Sequence, residues 1–352
     1  MPHSLHATSA ALPTRTRADV RVVAVEPLCT EHYWLELSAC IPLSHAGQFV
    51  QLQSNHWLFQ QQTSLPAHTL LKPGSAANDH PIWSDQHALL RRPFSVASVL
   101  TDSSPNTDGC VEQRVGLLLR RVGPGTAWLS RLEAGTTISL IGPIGQGFWE
   151  WPVRTHWLIG GGVGIPPTMR LAQQWSQACR TPDAVAFVAA QSRDLIPLPL
   201  TFEPSPLAMP LPCVQPFADY GLASVVSTDD GSCGLPGRVT DALEAALVQR
   251  FEHPPVPEGF LGWYVCGSTP MMRAVARLAQ RWSVPTQVCL EQAMACGLGT
   301  CQSCVVRVRC DTPARPEWAQ LHTATGQHAG QSYQYALCCS AGPVMDARAV
   351  LW

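Results

Sequence analysis

The chain has 352 residues, which suits two domains and a small appendage. A composition of 46% hydrophobic and 14% charged residues fits a globular protein with a sizeable core, and the formal net charge of −2 gives no global reason to bind nucleic acid or an anionic membrane. The sequence holds no uninterrupted apolar run of about 18 residues, so no transmembrane helix is expected.

The N-terminal stretch Met1–Arg17 has basic and hydroxyl residues but not the apolar core of a secretory signal. It reads as a disordered tail over residues 1–17, and the expected location is cytoplasmic. From Ala18 the pattern is strand-like. Val20, Val22, Val23 and Val25 form a β-branched run, and Tyr33, Leu35 and Leu37 alternate with a period of two. Residues 54–86 break this rhythm with Pro66, Pro73, Gly74 and Pro81, and read as a surface insertion. Strand patterns return at Arg92–Val99, Val115–Val122 and Thr137–Ile141. Short strands with turn residues and little helix predict a small antiparallel β-barrel over 18–150.

The character changes at Trp151. His156–Ile159 and Ala184–Ala190 are apolar strand patterns, and Thr168–Cys179 is a helix pattern. Helices near Asp241–Val248 and Met271–Trp282 flank a strand at Gly262–Cys266. This alternation predicts a doubly wound parallel sheet over 151–285, followed by a cysteine-rich unit over 286–352. The expected fold class is therefore multidomain, β plus α/β.

Fourteen cysteines in a long chain without a signal peptide do not suggest a disulfide framework. Ten are scattered or in apolar settings and read as packed free thiols. The others form a pattern: four residues separate Cys296 from Cys301, two separate Cys301 from Cys304, and a remote cysteine follows. That is the plant-type [2Fe–2S] spacing. A structural zinc site would usually show two short C-x-x-C pairs, and only one is present. Gly297 and Gly299 suit a loop that turns tightly and points backbone N–H groups at sulfur. Spacing alone does not choose between Cys338 and Cys339 as the fourth ligand.

Arg92-Pro93-Phe94-Ser95 lies on a barrel strand, where a guanidinium suits a pyrophosphate and a hydroxyl suits a flavin edge. Gly142-Pro-Ile-Gly-Gln-Gly-Phe148 ends the barrel. Gly160, Gly161, Gly162 and Gly164 lie between a strand and a helix, where backbone can approach a phosphate, although the spacing is not G-x-G-x-x-G. Cys266-Gly267 follows another strand at the end where such sheets bind ligands, so Cys266 is either a packed thiol or a neighbour of a nicotinamide.

In order, these motifs resemble the ferredoxin-reductase superfamily, and more narrowly the iron–sulfur flavoprotein (electron-transfer) subunits of two-subunit, NAD-dependent dihydroorotate dehydrogenases. Arg121-Val-Gly with Gly125-Thr126, Ser227-Thr-Asp-Asp-Gly-Ser232, Gly237-Arg-Val-Thr-Asp241 and Cys339-Ser-Ala-Gly-Pro343 carry the likeness further. The resemblance implies FAD held by Arg92, Pro93, Phe94, Ser95, Leu119, Arg120, Arg121, Gly125 and Thr126, and NAD held near Gly160–Gly164 and Cys266-Gly267. It selects Cys339, three residues before Gly342-Pro343, to complete a cluster set of Cys296, Cys301, Cys304 and Cys339. It also implies a partner: an FMN-containing catalytic subunit, in a heterotetramer, that oxidises dihydroorotate in pyrimidine biosynthesis. Electrons would pass through the [2Fe–2S] cluster and FAD to NAD⁺, and no acid–base catalytic residue is expected in this chain. NAD over NADP rests on the resemblance, because Arg193 stands where a 2′-phosphate could be met. Alternative readings are an NAD(P)H-dependent ferredoxin or oxygenase reductase, against the first of which Cys296 argues, and an iron–sulfur redox sensor that turns over nothing.

Overall fold

The computed structural model describes residues 16–42, 44–53, 90–105, 111–316, 325–328 and 331–352. The expected insertion at 54–86 and residues 1–15 of the expected tail lie outside the described residues.

Six strands close into a barrel: β1 (Thr16–Pro27), β2 (His32–Ala39), β3 (Phe49–Leu52), β4 (Arg92–Pro105), β5 (Val111–Arg120) and β6 (Thr137–Ile144), in the order β1-β2-β5-β4-β3-β6. Alternation decides which side chains fill it. Leu35 and Leu37 of β2, Val50 and Leu52 of β3 and Leu117 of β5 are fully buried within it. A short helix α1 (Pro124–Leu129) follows β5 and sends Leu129 into the same core. The first strand starts before Ala18: Thr16 and Arg17, read from sequence as tail, pair with Gly142 and Ile141. Cross-strand pairing with a segment more than a hundred residues away leaves no local trace in the sequence.

The second layer is a seven-stranded sheet. Its strands are β7 (Thr155–Gly161), β8 (Asp183–Ala190), β9 (Ala223–Thr228), β10 (Leu235–Pro236), β11 (Leu261–Cys266), β12 (Thr286–Cys289) and β16 (Val344–Asp346), ordered β10-β9-β8-β7-β11-β12-β16. All neighbouring pairs are parallel except β12 with β16. Near-continuous burial of Leu261–Cys266 is what a strand covered on both faces requires. Helix α2 (Ile165–Gln177) begins earlier than its apolar pattern suggests, because Pro166 and Pro167 occupy its first turn, where a missing N–H costs nothing. Helices α3 (Gln215–Asp219), α4 (Val239–Phe251) and α5 (Thr269–Trp282) complete the layer.

Helix α2 also fixes the barrel to the sheet. Arg170, Gln173, Gln174 and Gln177 recur at helical spacing and so share one face. Arg170 Nη2 donates to Ser44 O (3.0 Å) and Ala46 N to Gln174 Oε1 (2.7 Å). Val99 N donates to Gln173 Oε1 (2.8 Å), and Gln177 Nε2 to Val99 O (3.0 Å). Burial brings the Arg170 guanidinium down to about 10.

The last unit is not separate from the sheet. Strands β13 (Val305–Arg309), β14 (Thr325–His328) and β15 (Gln331–Leu337) form a three-stranded sheet in the order β13-β15-β14. The chain enters it from β12 and leaves it into β16, both of which belong to the parallel sheet. The division expected at 285/286 therefore cuts through a sheet. Cys304, Val308, Ala336, Cys338 and Cys339 share one hydrophobic core with Trp263 and Val288. Among the described residues no helix is long and apolar enough to cross a membrane.

Candidate functional site

The sheet's strand order reverses between β7 and β11, so a crevice opens at their C-terminal ends. The glycine-rich turn after β7 and Cys266-Gly267 after β11 meet there. A side chain on Gly164 would collide with the backbone of Cys266 and Gly267, and one on Gly267 would stand 2.6 Å from Met271 Sδ. At Gly164 glycine is thus required by the close approach of two loops.

Two clefts share this place. The first, about 520 Å³, is lined by Gly161, Gly162, Ala190, Asp229, Arg238 and Ser268 among others. The second, about 370 Å³, is lined by Pro93, Phe94, Ser95, Leu119, Thr126 and Cys266, with Phe49, Cys289, Met294 and Pro343 closing it. Arg120, Val163 and Glu291 line both, so a group in one cleft adjoins a group in the other. Strand pairing builds the second cleft: Phe49, Val50, Gln51 and Leu52 stand opposite Ser95, Phe94, Pro93 and Arg92.

The sequence-predicted residues divide accordingly. Pro93, Phe94, Ser95, Leu119, Arg120, Thr126 and Cys266 line the second cleft, and Arg120, Gly161 and Gly162 the first. Arg120 is held by Glu31, Nη2 to Oε2 at 2.6 Å. Thr126 Oγ1 accepts from Val122 N (3.0 Å) and Gly123 N (3.2 Å), which pins the turn into α1. Gly125 is buried in that turn. Arg92 and Arg121 do not line the clefts: Arg92 Nη1 donates to Leu90 O at 3.3 Å, and Arg121 lies over the Tyr33 ring at 5.6 Å. Gly160, Gly164 and Gly267 shape the crevice from behind. Arg193 is paired with Glu203 (2.7 Å) and is not among the residues lining the first cleft.

Sequence reading did not single out Glu291. Its carboxyl stands where the clefts meet, open to water but walled closely enough that lost hydration pushes it up to about 6. No motif marks it; its place just past the end of β12 in the crevice does.

The cysteine loop lies between β12 and β13. Leu298 N and Cys301 N donate to Cys296 Sγ (3.3 and 3.4 Å), and Cys339 N donates to Cys304 Sγ (3.4 Å). Ser303 Oγ contacts Cys301 Sγ (3.2 Å) and accepts from Ala295 N (3.2 Å). The Ser303 contact, helped by other local donors, lowers the Cys301 thiol to about 6. Hydrogen bonding from Cys339 lowers Cys304 to about 6, and the same bond raises Cys339. The four sulfurs thus fall into two pairs, Cys296 with Cys301 and Cys304 with Cys339. Cys338, next in sequence, is fully buried, and burial raises its thiol. Among the described residues no three His, Cys, Asp or Glu side chains converge as they would on a single metal ion. Cys296, Cys301, Cys304 and Cys339 are the thiols of this loop and its neighbour that could hold a metal centre.

Of the ten cysteines read as packed free thiols, Cys40 is instead disulfide-bonded. Cys266 and Cys289 are free and stand opposite each other on β11 and β12. Their mutual hydrogen bond and burial raise Cys266 well above an ordinary thiol.

No protein-family model matches the chain. A curated relative from Bacillus caldolyticus, the electron transfer subunit of dihydroorotate dehydrogenase B (NAD(+)), is 32% identical over 267 residues, covering 75% of this chain and 80% of that protein. The chain belongs to that family of electron transfer subunits. The like-named subunit of Desulforamulus reducens is 26% identical over 338 residues, 95% of this chain and 98% of its own length. Among solved structures, an NADH-dependent reduced ferredoxin-NADP oxidoreductase, described in work on flavin-based electron bifurcation, superposes with TM-score 0.62 at 22% identity, over 95% of this chain and 90% of that one. The ferredoxin reductase of a carbazole 1,9a-dioxygenase superposes with TM-score 0.50 at 21% identity, over 77% and 67%. These two share the barrel-plus-sheet fold.

Proposed function

We propose that this chain is the electron-transfer subunit of an NAD-dependent dihydroorotate dehydrogenase. In this reading it takes electrons from an FMN-containing catalytic subunit, in a heterotetramer, and delivers them to NAD⁺ in pyrimidine biosynthesis. The observation that carries the reading is the junction of the two clefts beside a loop whose three thiols gather with Cys339, within a member of this family. The second cleft would take FAD and the first NAD, while Cys296, Cys301, Cys304 and Cys339 would hold the [2Fe–2S] cluster.

When bound, these groups would supply the electron chemistry, single electrons at the cluster and a hydride at the flavin. The chain's residues do the placing. Pro93, Phe94 and Ser95 would bound the flavin on the barrel side, with Thr126 and the N-terminal turn of α1 on another. Gly161, Gly162 and Arg238 would receive the dinucleotide. Backbone N–H groups of Leu298, Cys301 and Cys339 already face sulfur and would steady thiolate ligands. Met294 of the loop lines the flavin cleft, which keeps the two redox sites adjacent. Leu298 stands exposed on the cysteine loop and Tyr335 on the neighbouring sheet, a suitable face for the catalytic subunit.

The decisive experiment is to co-purify the chain with a dihydroorotate-oxidising subunit from the same genome and follow NADH formation on adding dihydroorotate. A stable complex that reduces NAD⁺ is expected. Failure to form a complex, or a complex that forms no NADH, defeats the proposal. Reduction of ferredoxin by NAD(P)H without any such partner would favour the reductase reading.

A further inference from the structure

Gln51 sits on β3, opposite Pro93 on one side and Ile141 on the other. Its neighbours Val50 and Leu52 point into the barrel core, so strand alternation turns Gln51 outward. It is nevertheless fully buried, and neither Oε1 nor Nε2 has a hydrogen-bond partner. A buried primary amide with both ends unmet is costly and calls for a partner the protein acquires.

What buries it is the cysteine loop. A Cβ placed on Gly297 would lie 2.7 Å from Gln51 Oε1, 2.8 Å from Cδ and 3.1 Å from Nε2. The amide therefore packs against Gly297, the residue after Cys296 in the cysteine loop. Gly297 has φ +67°, and glycine meets both the conformation and the close approach.

We propose that Gln51 is a positioning residue for the iron–sulfur centre, an inference that rests on the cluster reading above. Its Nε2–H is the donor that the barrel offers to the sulfur shell of a cluster held by the loop. One residue then ties the strand pair that carries Pro93 to the loop that carries Cys296, holding the two redox sites in register. A donor to sulfur favours the more negative, reduced state, so it raises the reduction potential.

The test uses the complete chain with FAD and cluster loaded. Gln51→Leu and Gln51→Met keep the volume and remove the donor. Both are expected to keep full iron and FAD but to shift the reduced-to-oxidised ratio of the cluster about tenfold toward oxidised at a fixed poise, ~59 mV for a one-electron couple. In addition, protein with ¹⁵N-labelled glutamine side chains and the pair Gln292→Ala and Gln302→Ala, which removes both glutamines of the loop, is expected to show a ¹⁵N coupling in the pulsed EPR of the reduced cluster. This second measurement leaves Gln51 intact and so stands even if the variants fail to fold. A normal cluster with unchanged potential in both variants, or no ¹⁵N coupling, overturns the inference alone. A native chain with iron-free thiols and no [2Fe–2S] signal overturns the cluster reading and this inference together.

Discussion

Two groups of neighbouring cysteines, one lining the second cleft and one in the loop beside it, differ in what reaches their sulfur atoms. Cys266 and Cys289 face each other from parallel strands, fully buried, with Cys289 Sγ 3.6 Å from Gly47 O. Their surroundings raise Cys266, so thiolate is suppressed. In the loop Cys296–Cys304, with Cys339, backbone N–H groups point at two of the sulfurs; contact with Ser303 brings Cys301 to about 6, and hydrogen bonding from Cys339 brings Cys304 to about 6 while raising Cys339 itself. Proximity of cysteines does not make a ligand set. Donors aimed at sulfur, which stabilise the thiolate, do.

The sharpest way to break this contrast is to remove a thiol from each group. Cys304→Ser is expected to abolish iron binding and to slow electron delivery from the catalytic subunit beyond the ~100-fold typical of losing an outer-shell partner. FAD content and NADH–dye activity should persist. Cys266→Ser should leave iron content intact; an iron assay on both variants checks the pair. If Cys266→Ser also emptied the cluster, the distinction drawn here would fail.

The adjacent cysteines sharpen it further. Cys339→Ser is expected to lose iron. Cys338→Ser should keep iron yet unfold more easily, by about 1–3 kcal/mol, because a hydroxyl replaces a thiol in an apolar core. Iron content and denaturant midpoints read the two effects separately.

Alkylation of iron-free protein gives a smaller, graded effect. Thiolate fraction grows as pH rises through a thiol's pKa, so Cys301 should reach half-maximal reactivity near pH 6. Cys266 and Cys289 should stay unmodified through neutral pH, as peptide mass spectrometry would show. Equal labelling of both groups at pH 7 would contradict the burial argument.

The smallest expected effect lies between the groups, at Glu291. Its carboxyl is neutral below about 6 and anionic above. An anion at the cleft junction attracts the positive nicotinamide of NAD⁺, so NAD⁺ affinity should rise a few-fold as pH passes through that value. Glu291→Gln should flatten the profile; a titration of affinity against pH decides it.

The cysteine spacing Cys296, Cys301, Cys304 was legible because the loop is local, with its turns, glycines and sulfurs held in nine consecutive residues. Pro93–Ser95 and the glycine-rich turn Gly160–Gly164 were legible as short local motifs for the same reason, and the fold brings both to the clefts. The polar row Arg170, Gln173, Gln174 and Gln177 left a readable periodic signal, but nothing in the sequence said that the barrel would be its partner. Arg92 and Arg121 show the reverse: a matching motif sets residue type, while register and packing set direction.

By itself the amino-acid sequence determined the order of barrel, doubly wound sheet and cysteine-rich unit, because hydrophobic period and turn chemistry act over a few residues. Only the tertiary structure decided that β12 and β16 draw the cysteine unit into the parallel sheet, that Glu291 stands where the two clefts meet, and that Gln51 is buried against Gly297 of the cysteine loop. Each of these depends on contacts between residues far apart in the chain. Such contacts form only where burial of the whole core repays the entropy of bringing those segments together.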